Sequence, residues 1–555
     1  MDTEKLNKTV AIDFGTTNSV GGIFKNNKID IIPADKYGKD GTALIPSFVE
    51  YRERGVVVGR AAKNNFGKKN KFVVAAVKRI IGQRYEEYER MEDKTIFGCE
   101  VVRGDDGYPY FIVSEDGRRV SAIEVASEIF KVMKKRADEY GDRKFSEAYV
   151  TVPANFKDHQ CKAIKKAAEI AGLKVLKLIT EPTAAAMSWC FDHADELKVG
   201  ENMIVYDFGG GTFDVSLIQY FEGKRFRVRT VDGNPNLGGN DIDNAILDHM
   251  VKKCERITGV DISKKAYSRR YRCSLRSSCE DAKIIITDDS NPYYNDDENT
   301  FIRNSSSVNH QVTFSDLSMD GVDDIDCTTR DLNDAIRKKV EETVDITIRM
   351  MEKENVMPKD IRYVMLVGGS SYLYLVRQLL HKEFIGATFP IMKLNEAVAQ
   401  GTMKLLMSDC DPNSHENVEE KIVISYGLQV NNHKVALILK RGDIIPQKPT
   451  PFFFTTIKDN MKYIKTRIFQ WEGDPNDPNQ VELIGEYTCI PKEKCTLIEE
   501  LSFKNKFPKA KEKQNLSIEF PLDIGGTLEV RCWDGNAELY ANTFNAIYGG
   551  AYRDV

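Results

Sequence analysis

The chain has 555 residues, 41% hydrophobic and 29% charged, and its 79 basic and 84 acidic residues leave a net charge of -5. This length exceeds one ordinary core and implies several folding units. The composition excludes wholesale disorder, and the balanced charge gives no general reason to bind nucleic acid or anionic membrane. No stretch approaches the roughly eighteen consecutive apolar residues of a spanning helix, and residues 1–9 lack the apolar core of a secretory leader. The 11 cysteines show no CxxC pair or metal spacing, so reduced thiols are expected, in the cytoplasm with the nucleus also open.

Residues 9–14, TVAIDF, read as a β-branched strand that ends in an Asp and runs into the turn Gly15-Thr16-Thr17. Residues 203–208, MIVYDF, repeat that pattern before Gly209-Gly210-Gly211-Thr212, which points to a duplicated architecture. Strands such as 148–152 alternate with helical stretches such as 159–171, the pattern of α/β lobes. A third glycine turn, Gly368-Gly369-Ser370-Ser371, follows the strand 363–367, and 288–311, crowded with Asn, Asp and Ser, reads as a surface loop. The α/β pattern stops near Met407. Residues 409–420, DCDPNSHENVEE, read as a polar connector. Beyond them, short alternating runs at 435–439, 466–469, 481–484, 516–520 and 527–530 predict an all-β region.

Polyphosphates need backbone N–H groups aimed at their oxygens and little side-chain bulk nearby, which glycine turns after strands provide. One such turn is weak evidence; three, two of them bracketed by an Asp and a Thr, are not easily dismissed. Magnesium keeps most of its waters and needs only one or two carboxylates to position it. Asp13 and Asp207 fit that part, and a hydroxyl of Thr16, Thr17 or Thr212 fits the terminal phosphate or the attacking water.

Residues 12–19 (IDFGTTNS), 150–156 (VTVPANF), 181–186 (EPTAAA), 206–216 (YDFGGGTFDVS), 237–243 (LGGNDID), 366–371 (LVGGSS) and 395–401 (NEAVAQG) closely resemble signature segments of the seventy-kilodalton heat-shock chaperones, in order and with proper spacing over about the first 405 residues. The resemblance implies an actin-like two-lobed ATPase domain over 1–408, a connector over 409–421 and a β-sandwich peptide-binding domain over 422–555. It implies ATP or ADP with Mg2+ as cofactors, and K+ near Asp214. Asp13, Glu181 and Asp207 are implied to serve the hydrated magnesium, and Gly15, Thr16, Thr17, Asn18, Gly209, Gly210, Gly211 and Thr212 the phosphates. Lys78 is assigned to the terminal phosphate and attacking water, so that Asp13, Lys78, Glu181, Asp207 and Thr212 form the hydrolytic set. Glu280 and Lys283 match ribose contacts, Gly368, Gly369 and Ser370 match adenosine contacts, and Thr287 is placed among the nucleotide-binding residues. The family's two base-stacking arginines are replaced by Ile284 and Tyr372, so a weakened preference for adenine is expected.

The β region resembles the family's peptide-binding sandwich at residues 440–448, at Asp459-Asn460 and at 518–530. Tyr463, Ile464 and Ile468 are the candidate peptide-pocket residues, and plain sandwich core is an equal reading for each. No sequence is found for the family's helical lid, Glu416-Asn417-Val418-Glu419 stands where an apolar linker is usual, and Cys161 stands where the relay arginine would follow Pro153. The expected function is therefore a chaperone-like slow ATPase that binds unfolded or nascent polypeptides, weakly coupled. The resemblance further implies a J-domain co-chaperone and a nucleotide-exchange factor as partners. The alternative is a regulatory or scaffolding relative, associated with ribosomes or co-chaperones, in which nucleotide is mainly structural.

Overall fold

The β-branched run at the start of the chain forms the strand Thr9–Asp13, which pairs in parallel with Glu147–Val152 and antiparallel with Asn18–Lys25. The sheet order is Lys174–Thr180, Glu147–Val152, Thr9–Asp13, Asn18–Lys25, Lys28–Ile31. A second sheet repeats the arrangement. Its strand Asn202–Phe208 pairs in parallel with Ile361–Val367 and antiparallel with Phe213–Phe221, which pairs antiparallel with Arg225–Asn234. Each central strand is buried along almost its whole length, the reason it reads as a continuous apolar run rather than an alternation. Each carries an Asp at or next to its end, Asp13 and Asp207, just before a glycine turn, so the duplication places two similar turns at the ends of two similar hairpins.

The computed structural model describes residues 2–35, 42–154, 156–221, 225–290 and 309–411, and between 418 and 544 it describes the strands of the β region and some of their connections. Two compact units result, Met1–Asn155 with Ala163–Asn417, and Phe156–Lys162 with Val418–Val555. The connector residues 412–417, the Asp459-Asn460 pair and most of 440–448 lie outside the described residues.

In the first unit, helices cover the sheets through stripes at helical spacing. Gly239–Thr258 buries Ile242, Ile246, Met250 and Cys254, and Thr329–Lys353 buries Leu332, Ile336 and Val340. Both stripes pack into one core with Tyr206, Phe208 and Phe213. The Tyr206 hydroxyl meets that of Thr343 inside this core. The helix Thr329–Lys353 starts on a capping box in which Thr328 and Asp331 satisfy each other's backbone N–H groups. Lys253 and His249 also reach the Asp331 carboxylate, at 2.6 and 3.1 Å.

Burial disfavours the charged form of Asp331, but Lys253, Thr328 and His249 outweigh it and hold the carboxyl well below its ordinary range. A depressed aspartate contributes stability that is present above the unfolded value near pH 4 and is lost as the pH falls towards the folded value. Asp331→Asn is therefore expected to cost about 1–2 kcal/mol at neutral pH, with the gap from the parent closing in strongly acidic solution. Denaturant unfolding across pH checks this; a gap that does not depend on pH would show that the charge is irrelevant.

The described residues between 418 and 544 form strands and one short helical turn, Lys492–Lys494, the β region expected from the sequence. One sheet runs Glu482–Ile484, Tyr487–Pro491, Lys434–Leu439, Ser425–Gln429, Tyr463–Trp471, Thr496–Lys504, and the other runs Phe452–Phe454, Leu516–Glu519, Leu528–Asp534, Ala537–Phe544. Val435, Leu437, Phe469, Trp471 and Ile490 form a core within it. Two sequence expectations are adjusted by the fold. The stretch read as a loop from 288 begins inside the helix Arg269–Ser290, and its far end, Asn309–Val312, is a strand paired with Ile325–Thr328. Polar residues at the end of a helix look like loop when the stripe beneath them is not followed. None of the described cysteines is in a disulfide. Among the described residues no helix is long and apolar enough to cross a membrane.

Candidate functional site

The three glycine turns predicted from the sequence converge. A Cβ on Gly210 would lie 2.0 Å from Thr17 Oγ1, and one on Gly211 would lie 2.6 Å from Thr16 Oγ1, so only glycine lets the two hairpin turns approach this closely. The start of the helix Gly239–Thr258 locks onto the second turn: Gly239 N–H donates to Gly209 O and Asn240 N–H to Gly210 O, both at 2.9 Å. From the third turn, Ser370 Oγ donates to Gly209 O at 3.0 Å. The turns wall a cleft of about 540 Å³ in the first unit, with Gly15, Thr16, Thr17, Asn18 on one side and Gly209, Gly210, Gly211, Thr212 on the other.

Charged side chains stand at the inner end. Ala76 takes a left-handed conformation at φ 53°, and the following turn Val77–Arg79 buries both Lys78 and Arg79. Lys78 ion-pairs with Glu181, which opens the helix Glu181–His193. Arg79 donates to Gly211 O at 2.7 and 3.1 Å and pairs with Asp241, clamping the second turn from outside. Burial lowers the affinity of Lys78 for its proton, but Glu181, Asp13 and Asp207 outweigh it and hold the ammonium above the ordinary lysine value.

The carboxylates respond in the opposite direction. Burial, reinforced by Glu181, pushes Asp13 up to about 7, although Lys78 and a 3.0 Å hydrogen bond from Thr151 oppose it. Burial, with Glu181, Asp214 and Asp13, drives Asp207 well above the ordinary carboxylate range. Asp214 lies opposite Asp207 in the hairpin register and is buried without lining the cleft. Burial and then Glu181 push it up to about 7; the Thr212 hydroxyl lies near enough to oppose this, yet neither Asp214 oxygen receives a well-formed hydrogen bond among the described residues. Among those residues no group of three or more His, Cys, Asp or Glu side chains is arranged to grip a bare metal ion. The cluster is instead a pool of buried negative charge that one lysine only partly offsets.

Further along the cleft, Glu280 pairs with Lys63 at 2.9 Å and Lys283 with Asp243 at 2.6 Å. Ile284, Thr287, Gly368, Gly369, Ser370 and Tyr372 complete this end. All the sequence-predicted phosphate, ribose and base residues therefore share one cavity. Sequence reasoning missed Lys63, Arg79, Asn240, Asp241, Asp243 and Thr151. Four of these lay in quoted segments, Thr151 in 150–156 and Asn240, Asp241 and Asp243 in 237–243, and their hydroxyl, amide and carboxylates were the available signal; Lys63 gave none.

In the second unit the predicted peptide residues share the strand Tyr463–Trp471. Tyr463 and Ile464 pair with Lys504 and Phe503, and Ile468 is fully buried opposite Leu428.

The family model described as "Hsp70 protein" matches residues 9–493. A protein of Trypanosoma brucei brucei named "Heat shock cognate HSP70 protein" is 30% identical over 473 residues, which is 83% of this chain and 66% of that relative. The chain thus spans just under two thirds of the length of the curated relative it matches. The match of the family model over most of the chain, on a fold of two repeated α/β sheets and a β-sandwich, shows that the chain belongs to the Hsp70 protein family.

Proposed function

We propose that the protein binds Mg-ATP in the glycine-walled cleft, hydrolyses it slowly, and binds exposed apolar segments of unfolded or nascent polypeptides through its β unit, as a chaperone-like factor of the cytoplasm. The observation that carries the reading is the buried set Lys78, Glu181, Asp207 and Asp214, with the half-buried Asp13, beside a wall of facing glycine turns. The raised Asp13, Asp207 and Asp214 and the donor-less Asp214 oxygens fit added positive charge, namely a hydrated Mg2+ near Asp13, Glu181 and Asp207 and a K+ near Asp214. When bound, magnesium would neutralise charge on the phosphates.

The chain's own residues do the rest. Backbone N–H groups of the first two turns hold the phosphates, and Thr212 and Thr16 offer hydroxyls to the terminal one. Lys78, kept charged by its carboxylate neighbours, steadies the terminal phosphate and the attacking water. Glu280 and Lys283, each fixed by an ion-pair partner, hold the ribose. A J-domain co-chaperone and a nucleotide-exchange factor are the proposed partners.

Single-turnover ATP hydrolysis with and without an apolar peptide tests this. Phosphate release on the scale of minutes to an hour supports an ATPase; bound ATP that stays intact would favour the scaffolding alternative.

Coupling between nucleotide and peptide is proposed to be weak. Coupling requires an element with two arrangements, each favoured by one ligand, and the connector's Glu416 and Glu419 resist the desolvation that docking demands. Fluorescent-peptide dissociation should be fast and differ less than about threefold between ATP and ADP, against the roughly 5–150-fold range typical of coupled sites. A rate difference in that larger range would remove the weak-coupling claim.

A further inference from the structure

Three successive carbonyls of the second glycine turn are each held by a donor. Gly209 O accepts from Gly239 N–H and Ser370 Oγ, Gly210 O from Asn240 N–H, and Gly211 O from Arg79 Nη2 and Nε at 2.7 and 3.1 Å. A trans peptide carries its C=O and N–H on opposite sides, so each carbonyl held in this way turns the next residue's N–H away from the donor. The N–H groups so fixed are those of Gly210, Gly211 and Thr212. The first two are set by the helix Gly239–Thr258 and by Ser370, but the third is set by a residue 132 positions earlier. Arg79 belongs to the turn Val77–Arg79, which packs against the helix Ala122–Gly141, itself packed on the first sheet.

Arg79 is buried and does not line the cleft, so it acts only through the turn. Its guanidinium is fixed on the other side by Asp241, whose carboxylate also accepts from Gly238 N–H at 2.8 Å. Gly238 in turn lies flat against the same peptide, since a Cβ there would sit 2.5 Å from Gly211 N and C. A cation that donates twice to one carbonyl polarises the peptide and strengthens its N–H as a donor. Lys78, the neighbour of Arg79, is in the reading above the charge at the terminal phosphate, and Thr212 offers that phosphate its hydroxyl. We propose that Arg79 is a positioning residue for the terminal phosphate: by holding Gly211 O it turns the Thr212 N–H toward that phosphate, and so favours ATP over ADP. The inference rests on the nucleotide-site reading above and adds a specificity-determining residue to it.

Stopped-flow binding of fluorescent N-methylanthraniloyl ATP and ADP with Mg2+ to the full chain, read within seconds and so before turnover, tests it on the parent, Arg79→Ala and Arg79→Lys. Arg79→Ala is expected to weaken ATP about tenfold, while ADP stays within about twofold because the Gly210 and Gly211 N–H groups keep their own anchors. Single-turnover hydrolysis at saturating ATP should fall about tenfold as well. Arg79→Lys should recover part of both, since one ammonium reaches the carbonyl but cannot fork between Gly211 and Asp241. Unchanged ADP binding also reports an intact fold. An arginine that only tied the turn to the rest of the unit would shift ATP and ADP equally. That result, or parental ATP affinity in Arg79→Ala, would overturn the role of Arg79 and leave the site reading standing. If the alanine variant binds neither nucleotide, the lysine variant decides by the same comparison of ATP with ADP. A parent that binds neither nucleotide would overturn both.

Discussion

Replacing Lys78 with alanine is expected to lower single-turnover ATP hydrolysis about 100-fold or more, the scale of losing one preorganised charge at a reacting centre, while the Kd for Mg-ADP stays within a few-fold. Binding should survive because the glycine turns hold phosphates by backbone, and because Glu280 and Lys283 keep their partners Lys63 and Asp243. Hydrolysis should not survive, because Lys78 is the one cation of the cleft wall that sits among Asp13, Glu181 and Asp207. Its removal leaves Glu181 beside two carboxyls, Asp13 and Asp207, already pushed upward by burial and by Glu181 itself. Lys78→Arg should not rescue, since a planar guanidinium does not occupy a site shaped for a compact ammonium. Quench-flow or filter-based phosphate release, paired with ADP titration, checks both halves. Equal hydrolysis in variant and parent would take the lysine out of the chemistry, and a parallel loss of ADP binding would recast it as a folding or binding residue.

What was legible in the sequence was local. Asp13 and Asp207 declare themselves because strand, carboxylate and glycine turn are contiguous, and the structure brings both to one cleft. Lys78 and Glu181 gave no such local sign and were found only through the resemblance, since their pairing joins residues 103 positions apart. Arg79 escaped notice because its partners, Gly211 and Asp241, are 132 and 162 residues away, and no periodicity reports such a contact. Asp288 was read as loop by its polar neighbours, yet the helical spacing from Glu280 carries it onto the cleft face. In the β unit, strands with clear alternation such as Lys434–Leu439 were visible. Tyr487–Pro491, which ends in proline, and Ser425–Gln429, which contains a glycine, were not.

Gly401→Ala is expected to destabilise the first unit by about 3 kcal/mol or more, although helix propensity alone predicts a gain of about 1 kcal/mol for this exchange. The sign is set by the crossing of two helices, Ala397–Cys410 and Glu181–His193. A Cβ at position 401 would lie 1.6 Å from Ala184 O, 2.6 Å from its carbonyl carbon and 2.9 Å from Ser188 N. Those are backbone atoms, so no rotamer change relieves the overlap, and the helices must part. Buried Lys404 ties the same crossing together through Ser188 O and the Asp192 carboxylate, which limits how far they can. The second helix begins at Glu181, so separation should also disturb the Lys78–Glu181 pair and weaken nucleotide binding. Gly22→Ala is the control. Its added Cβ would meet Met403 Cγ at 2.8 Å, the atom of a flexible side chain, and a cost below about 1 kcal/mol is expected. Chemical denaturation and ADP titration of both variants decide the point: a Gly401→Ala protein as stable as the parent would mean the helices can separate freely, and the Glu181 carboxylate would then owe its position to something other than this crossing.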